Sequence, residues 1–498
     1  MKTVLGIDLG TQSLKTVFYD YERREVVESI ATPLAIIRRQ DGTAEQRAEW
    51  WTAALAECLR RVPVEVRASV QAIGVSGQQH GFVAMDNEGQ VLIPVKLWCD
   101  TSTQAEADAI TRACGGQERC IEYAGNPVLT GYTAPKILWF RKTHADLYSR
   151  MSTILLPHDY LNHLLTGVAR MEYGDASGTG LLDIRSRQWS EPLMKAVDPT
   201  RDLRECLPPL TDAGEVIGTT TSLFADRYGL PADVPVATGG GDNMMAAIGT
   251  GNVTAGKLTV SLGSSGTIFA FSETPIVDPE GEIAAFCSST GGWLPLVCTM
   301  NCTLGTELIA GLTGIAVQNL DREIERVEAG AGGLITLPFF NGERTPNLPR
   351  ARGCVLGLNS HNCNGAHLLR SAVEGATFAL KYGLERLESL GCSGSEIVLT
   401  GGGANSAVWR QIVADICRLP VTLLRQDEGA SFGAALQALW VLRREPDASL
   451  AIEDVVVEHL SRKESSCTEP ETGSANVYAE RYGAYRNAVE HISPLYLH

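Results

Sequence analysis

Short apolar runs that break on glycine recur along this chain: Val4 to Ile7, Ala72 to Val75, Val234 to Ala237, Leu258 to Leu262, Leu334 to Leu337 and Ile397 to Leu399. Runs of this kind predict buried strands. Between them, apolar residues return at helical spacing. Trp50, Trp51, Ala54, Leu55, Cys58, Leu59 and Val62 form one such face, preceded by a T-x-x-Q capping pattern at Thr43 and Gln46. A second face runs from His367 to Leu387 through Leu369, Val373, Ala376, Leu380 and Leu384, and a third begins near Ser431 with Phe432, Ala435, Leu436 and Leu439. Shorter helices are expected at Met244 to Ile248 and Val408 to Ile416, each behind a glycine-rich turn. The polar stretch Leu460 to Ala475 reads as a surface excursion before a terminal helix. Strands alternating with helices in this way give the α/β class.

The pattern contains a weak repeat. Ile7-Asp8-Leu9-Gly10-Thr11-Gln12-Ser13, followed by the β-prone Lys15 to Tyr19, returns in the second half as Val260-Ser261-Leu262-Gly263-Ser264-Ser265-Gly266, followed by Thr267 to Phe271. Each copy reads as strand, tight turn, strand. So long a period suggests a duplicated domain with a cleft between the halves and a boundary near Gly249 to Gly256. Two glycine-rich turns facing each other across a cleft suit a polyphosphate, because backbone N–H groups come close where no Cβ intervenes.

Composition narrows the partners. The 498 residues carry 42 Lys and Arg against 58 Asp and Glu, a formal charge of -16, with no basic block. That balance excludes a nucleic-acid surface, and an anionic ligand must be held by local donors or a metal ion. Asp8 interrupts the first apolar run, so the start lacks a secretory core. The uncharged stretch Ile283 to Thr306 is broken by Gly291, Gly292 and Pro295 and makes a poor bilayer span. A soluble, cytoplasmic protein with no membrane partner is expected, with a homodimer left open. The thirteen cysteines are scattered without a C-x-x-C pair and read as reduced thiols. Cys298 and Cys302 come nearest to a metal spacing, but no second ligand pair follows.

Several loops after strands carry candidate chemistry. Asp8 ends the first strand beside the Gly10–Thr11 turn: it is either a turn residue or a holder of Mg²⁺ against phosphates. Asp242 follows Gly239-Gly240-Gly241, where it is either a helix cap or a general base that needs an open approach to a substrate hydroxyl. Ser76-Gly77-Gln78-Gln79-His80-Gly81 offers amide and imidazole groups to a polyol or keto sugar. Trp98 and Asp100 offer that ligand a wall and a hydroxyl acceptor, or else a core residue and a cap. Thr400-Gly401-Gly402-Gly403-Ala404-Asn405-Ser406 opens a helix and suits a nucleoside contact, lacking the G-K-[ST] ending of a P-loop.

These segments together resemble the FGGY carbohydrate kinases, and within them the xylulokinases. The matching stretches are 6–15, 76–81, 239–243, 261–267, NGERTP at 341–346 and 400–406, with two longer signatures at 131–140 and 353–374. The resemblance implies two actin-like (ribonuclease H-like) domains, 1–248 on the sugar side and 249–498 on the nucleotide side, with ATP in the cleft. It implies transfer of the γ-phosphate to O5 of D-xylulose. Asp242 would then be the catalytic base, with Asp8 supporting Mg²⁺ and the phosphates, both carboxylates serving the metal directly or through water. Gln79, His80 and Asn243 would touch the sugar, joined by Trp98 and Asp100. Gly10, Thr11, Gln12, Ser13, Gly263, Ser264, Gly401, Gly402, Gly403 and Asn405 would form the nucleotide turns. Thr143, Ser264 and Gln79 depart from the commoner residues at their positions without removing a needed group. A kinase for another ketose or polyol such as ribulose or glycerol, or an actin-like ATPase outside metabolism, are the alternatives.

Overall fold

The glycine-bounded apolar runs become strands of two sheets in the computed structural model, which describes residues 1–426, 428–463 and 466–496. In the first sheet, β1 (Thr3–Leu9), β2 (Ser13–Asp20) and β3 (Glu25–Pro33) form antiparallel neighbours. Then β4 (Val70–Gly77) lies parallel to β1, β5 (Val216–Thr219) pairs antiparallel with β6 (Pro235–Ala237), and β6 lies parallel to β4. The short β7 (Gly240–Gly241) extends the ladder at the end of β4, opposite Ser76 and Gly77. The second sheet holds β8 (Gly256–Leu262), β9 (Gly266–Ala270), β10 (Leu296–Thr299), β11 (Gly394–Thr400) and β12 (Val421–Thr422). Its order β10-β9-β8-β11-β12 reproduces β3-β2-β1-β4-β6 with the same antiparallel and parallel senses. The weak repeat in the sequence is therefore a repeat of topology, giving two actin-like α/β halves. The two hairpin turns differ by one residue: Leu9 pairs with Leu14, whereas Leu262 pairs with Gly266.

Each sheet has its own apolar core, and a third cluster joins them. Helix Asp242–Gly249 contributes Met244, Met245 and Ile248 to it, beside Phe269 and Leu296 of the second sheet. Helix Gly429–Arg444, late in the chain, brings Phe432, Ala435, Leu436 and Leu439 against Val4 and Ala72 of the first sheet. The two helices pack on each other through glycine. A Cβ at Gly433 would stand 1.7 Å from the Met245 carbonyl oxygen, and one at Gly6 1.9 Å from the Ser431 carbonyl oxygen. Backbone cannot yield as a side-chain tip does, so Gly433→Ala is expected to destabilise the protein by at least about 3 kcal/mol, the upper end for overpacking. Thermal unfolding checks this; an unchanged midpoint would mean that the helices slide apart freely.

The helices expected at 367–387, 408–416 and 431 onward lie at Gly365–Ser389, Ala407–Cys417 and Gly429–Arg444, and the terminal helix is Thr472–Ile492. The polar excursion is tied to the second sheet through bridges from Leu424 to Arg462 and Val421 to Thr468, while Glu464 and Ser465 lie outside the described residues. The capping box at Thr43 and Gln46 is corrected. Ala44–Gln46 is a strand, and helix Ala48–Arg61 starts after Arg47 with no side-chain cap. Gln46 is instead buried, for a reason that appears in the cleft. No helix among the described residues is long and apolar enough to cross a membrane. All thirteen cysteines are free.

Candidate active site

Between the halves lies a cavity of about 490 Å³, walled from the first by Asp8, Thr11, Gln79, His80, Trp98 and Asp242 and from the second by Gly263, Ser265, Thr267 and Gly401. The first turn is held by a side-chain network. The Gln46 amide donates to the Thr11 carbonyl (2.8 Å) and accepts from the Gln78 amide (2.9 Å) and the Trp51 indole (2.9 Å). Gln78 in turn accepts from the Thr11 hydroxyl (3.0 Å), which itself accepts from the Trp98 indole (2.9 Å). Of the neighbouring pair Gln78 and Gln79, the first braces the turn while the second faces the cavity. On the opposite side the Ser264 carbonyl accepts from Cys302 N (2.9 Å) and the Gly263 carbonyl from Thr303 N (2.9 Å). Thr11, Gly263 and Gly401 line the cavity, Gln12, Ser264 and Gly402 are exposed beside it, and Asn405 lines an adjoining pocket with Thr400. Gly10 and Ser13 shape the first turn, and Gly403 is buried against Leu262.

The two carboxylates come together because β1, β4 and β7 end side by side. Asp8 sits opposite Ser76 in the parallel ladder, and the Ser76 hydroxyl donates to it (2.8 Å). Asp242 begins its helix rather than capping it; Gly241 is the cap residue and has no side chain to offer. The glycines before it are required by contact. Gly239 has φ +74 with its Cβ position 2.4 Å from the Val75 carbonyl oxygen, and a Cβ at Gly241 would meet Gln79 at 2.7 Å. Burial, then the nearby Asp8 and Asp175 carboxylates, push Asp242 up to about 8. Burial likewise raises Asp8, against the Ser76 hydrogen bond and the Lys15 charge.

Asn243 donates to Asp242 Oδ1 (3.1 Å) and to Gln79 Oε1 (3.0 Å), linking Asp242 to the 76–81 loop. The Gln79 amide nitrogen is buried on the side of the Asp175 carboxylate, which it helps to lower against the effect of burial. His80 sits at φ +65, an unusual backbone state for a non-glycine residue. Its carbonyl is pinned by the buried Lys136 amine (2.7 Å), which burial lowers to about 7 and which also donates to the Gly131 carbonyl (2.7 Å), and by the Thr133 hydroxyl (3.2 Å). Burial, with the charges of Lys136 and Arg344, holds the imidazole well below its usual value, so it is neutral. Beneath this layer, burial raises Glu172 to about 7 and Asp175 to about 6. Burial alone would lower His158, but its contacts with Asp159 and Asp175 outweigh that and keep it charged.

Asp100 is a correction. It is fully buried outside the cavity, accepting from Lys96 (3.0 Å), Ala44 N (2.9 Å) and the Ser102 hydroxyl (2.7 Å), so it has nothing left for a sugar. Trp98 does wall the cavity. The sequence pattern gives Gln46 only a helix-capping role and Arg344 none. Gln46 was hidden by a plausible cap pattern, whereas Arg344 stood in the quoted NGERTP stretch.

Raised carboxylates set the sign of a pH effect. Asp242, Glu172, Asp175 and Glu343 bind protons more tightly folded than unfolded, so the stability they contribute is present below about pH 4 and is lost as pH rises through about 6 to 8, and they outnumber Lys136, which burial lowers to about 7 and which works the other way. Thermal unfolding of the ligand-free protein should therefore show a midpoint that declines between pH 6 and pH 8. A rise across that window would contradict the buried-carboxylate picture.

The two halves that enclose this cavity each match a model of a known family. The family model for the N-terminal domain of the FGGY family of carbohydrate kinases matches residues 3–249, and that for the C-terminal domain matches 258–442. The chain belongs to the FGGY family of carbohydrate kinases. It is 40% identical to a xylulose kinase of Haemophilus influenzae over 99% of this chain and 100% of that one. It is 36% identical to a xylulose kinase of Streptomyces rubiginosus over 90% of each. Among solved structures, a xyloylose kinase from Brucella ovis superposes with a TM-score of 0.91 at 31% identity, covering 99% of this chain and 100% of that one. As an FGGY kinase the protein is a phosphotransferase that takes ATP as its donor, generally with a divalent metal.

Proposed function

We propose that this FGGY kinase phosphorylates D-xylulose at O5, giving D-xylulose 5-phosphate, in the cytoplasm. The observation that carries the reading is Asp242, open to the interlobe cavity and hydrogen-bonded through Asn243 to the sugar-loop residue Gln79. Asp242 accepts the proton of the O5 hydroxyl as that oxygen attacks the γ-phosphorus, and positioning supplies much of the remaining catalysis. Gln79, His80 and Asn243 orient the ketose, with Trp98 as an apolar wall. The Thr11 turn, the 263–265 turn and the Gly401 turn hold the phosphates and nucleoside. The sugar side is 1–248 and the nucleotide side 249–498.

The carboxylate pair fits a hard cation. Two carboxylates raised by burial, one of them also by the other, form an oxygen donor set that a positive charge relieves. Mg²⁺ takes few carboxylates and completes its shell with phosphate and water oxygens. Asp8 and Asp242 would hold that ion, which supplies charge neutralisation at the transferring phosphoryl group. The close relatives named xylulose kinase support D-xylulose as acceptor. A coupled ADP-release assay across D-xylulose, D-ribulose, L-ribulose and glycerol tests it. D-xylulose should give the highest kcat/KM; a clear preference for another acceptor would contradict the assignment.

A further inference from the structure

Arg344 reaches the sugar end of the cavity from the opposite half. Its loop is fixed from below. The buried Glu343 carboxylate accepts from Arg344 N (2.9 Å), Met300 N (2.5 Å) and the Asn301 amide (3.2 Å), while the Thr345 hydroxyl donates to the Glu282 carbonyl (2.9 Å). With its backbone held so firmly, the side chain is aimed across the gap. A guanidinium nitrogen lies 3.7 Å from the Cβ position of Gly131, and the positive charge is felt by His80, Tyr132 and Cys298. Arg344 makes no ion pair with any carboxylate among the described residues, although the cavity's other cation, Lys15, pairs with Glu428.

A guanidinium offers only donors, so its partner must be an acceptor, and a carbonyl or an anion is a stronger one than a hydroxyl. The phosphate turns lie with Thr11 and Gly263, whereas Arg344 lies with His80 and Tyr132. Asp242, His80 and Arg344 line the same cavity, so a 2-ketose with O5 at Asp242 and its chain laid toward His80 would bring its C2 carbonyl and O1 to this corner. We propose that Arg344 is a specificity residue, which donates hydrogen bonds across the cleft to the carbonyl end of the ketose and so favours a ketose over the corresponding polyol. The inference rests on the ketose kinase reading above. It also makes ketose binding span both halves, since His80 and Arg344 belong to different ones.

The test compares wild type, Arg344→Met and Arg344→Lys, with D-xylulose as substrate and xylitol, which differs at C2, as competitive inhibitor. The methionine variant should raise the D-xylulose KM by roughly tenfold or more, leave the ATP KM within twofold, and weaken xylitol far less, while Arg344→Lys recovers part of the loss. Thermal unfolding confirms that both variants fold. An unchanged D-xylulose KM, an equal loss for D-xylulose and xylitol, or a fall in kcat alone would overturn the assignment. A wild type that releases no ADP with any ketose would contradict the ketose reading itself and this assignment with it; wild-type activity on D-xylulose with an indifferent variant overturns only Arg344.

Discussion

Asp242→Asn is expected to lower kcat for D-xylulose by about a thousandfold while leaving ATP affinity nearly intact. The amide keeps the size of the side chain and can still take hydrogen bonds from Asn243, which donates to Oδ1 from both its backbone (2.8 Å) and its amide (3.1 Å). What it loses is the ability to take the hydroxyl proton, a contribution of typically a hundred- to ten-thousandfold. The substitution also removes one of two facing carboxylates, so the variant should fold and be more stable at pH 8 than wild type. Steady-state kinetics and nucleotide titration together check this. Turnover within tenfold of wild type would remove the base from the mechanism.

Asp8→Asn should lower kcat by roughly a hundredfold, the scale of losing one electrostatic contact to a developing charge, and should raise the Mg²⁺ concentration needed for half-maximal activity. Asparagine still accepts from Ser76, which lies opposite it in the β1–β4 ladder, so the loss isolates the negative charge. If kcat fell with no change in Mg²⁺ dependence, Asp8 would be acting on Asp242 rather than on the cation. The two variants thus compare a carboxylate that serves as both base and cation ligand with one that serves the cation alone.

Much of this site was legible because its parts obey local rules. Glycine turns after apolar runs gave the hairpins, and their repetition gave two halves facing a cleft. The triple glycine before Asp242 reads in sequence as room for a ligand, whereas the close contacts it permits are with Val75 and Gln79 of the protein itself. Other residues were hidden because their partners are distant in sequence. Gln46 fits the spacing of a capping box, yet it braces the Thr11 turn; Asp100 ends an apolar run in the manner of a ligand-binding residue, yet Lys96 and Ala44 hold it in the core. No periodicity reveals that the late helix Gly429–Arg444 covers the first sheet, because Gly6 and Gly74 only show their purpose when Ser431 and Ala434 lie against them. Arg344 likewise acquires meaning only when the 341–346 loop is seen to face His80 across the cavity.

The decisive measurement is a crystal structure with D-xylulose and a non-hydrolysable ATP analogue. The account predicts O5 within about 3 Å of the Asp242 carboxylate and in line with the γ-phosphorus, with the phosphates between the Thr11 and 263–265 turns. A bound ketose whose terminal hydroxyl points away from Asp242, or a nucleotide whose γ-phosphate lies outside the interlobe cavity, would contradict it.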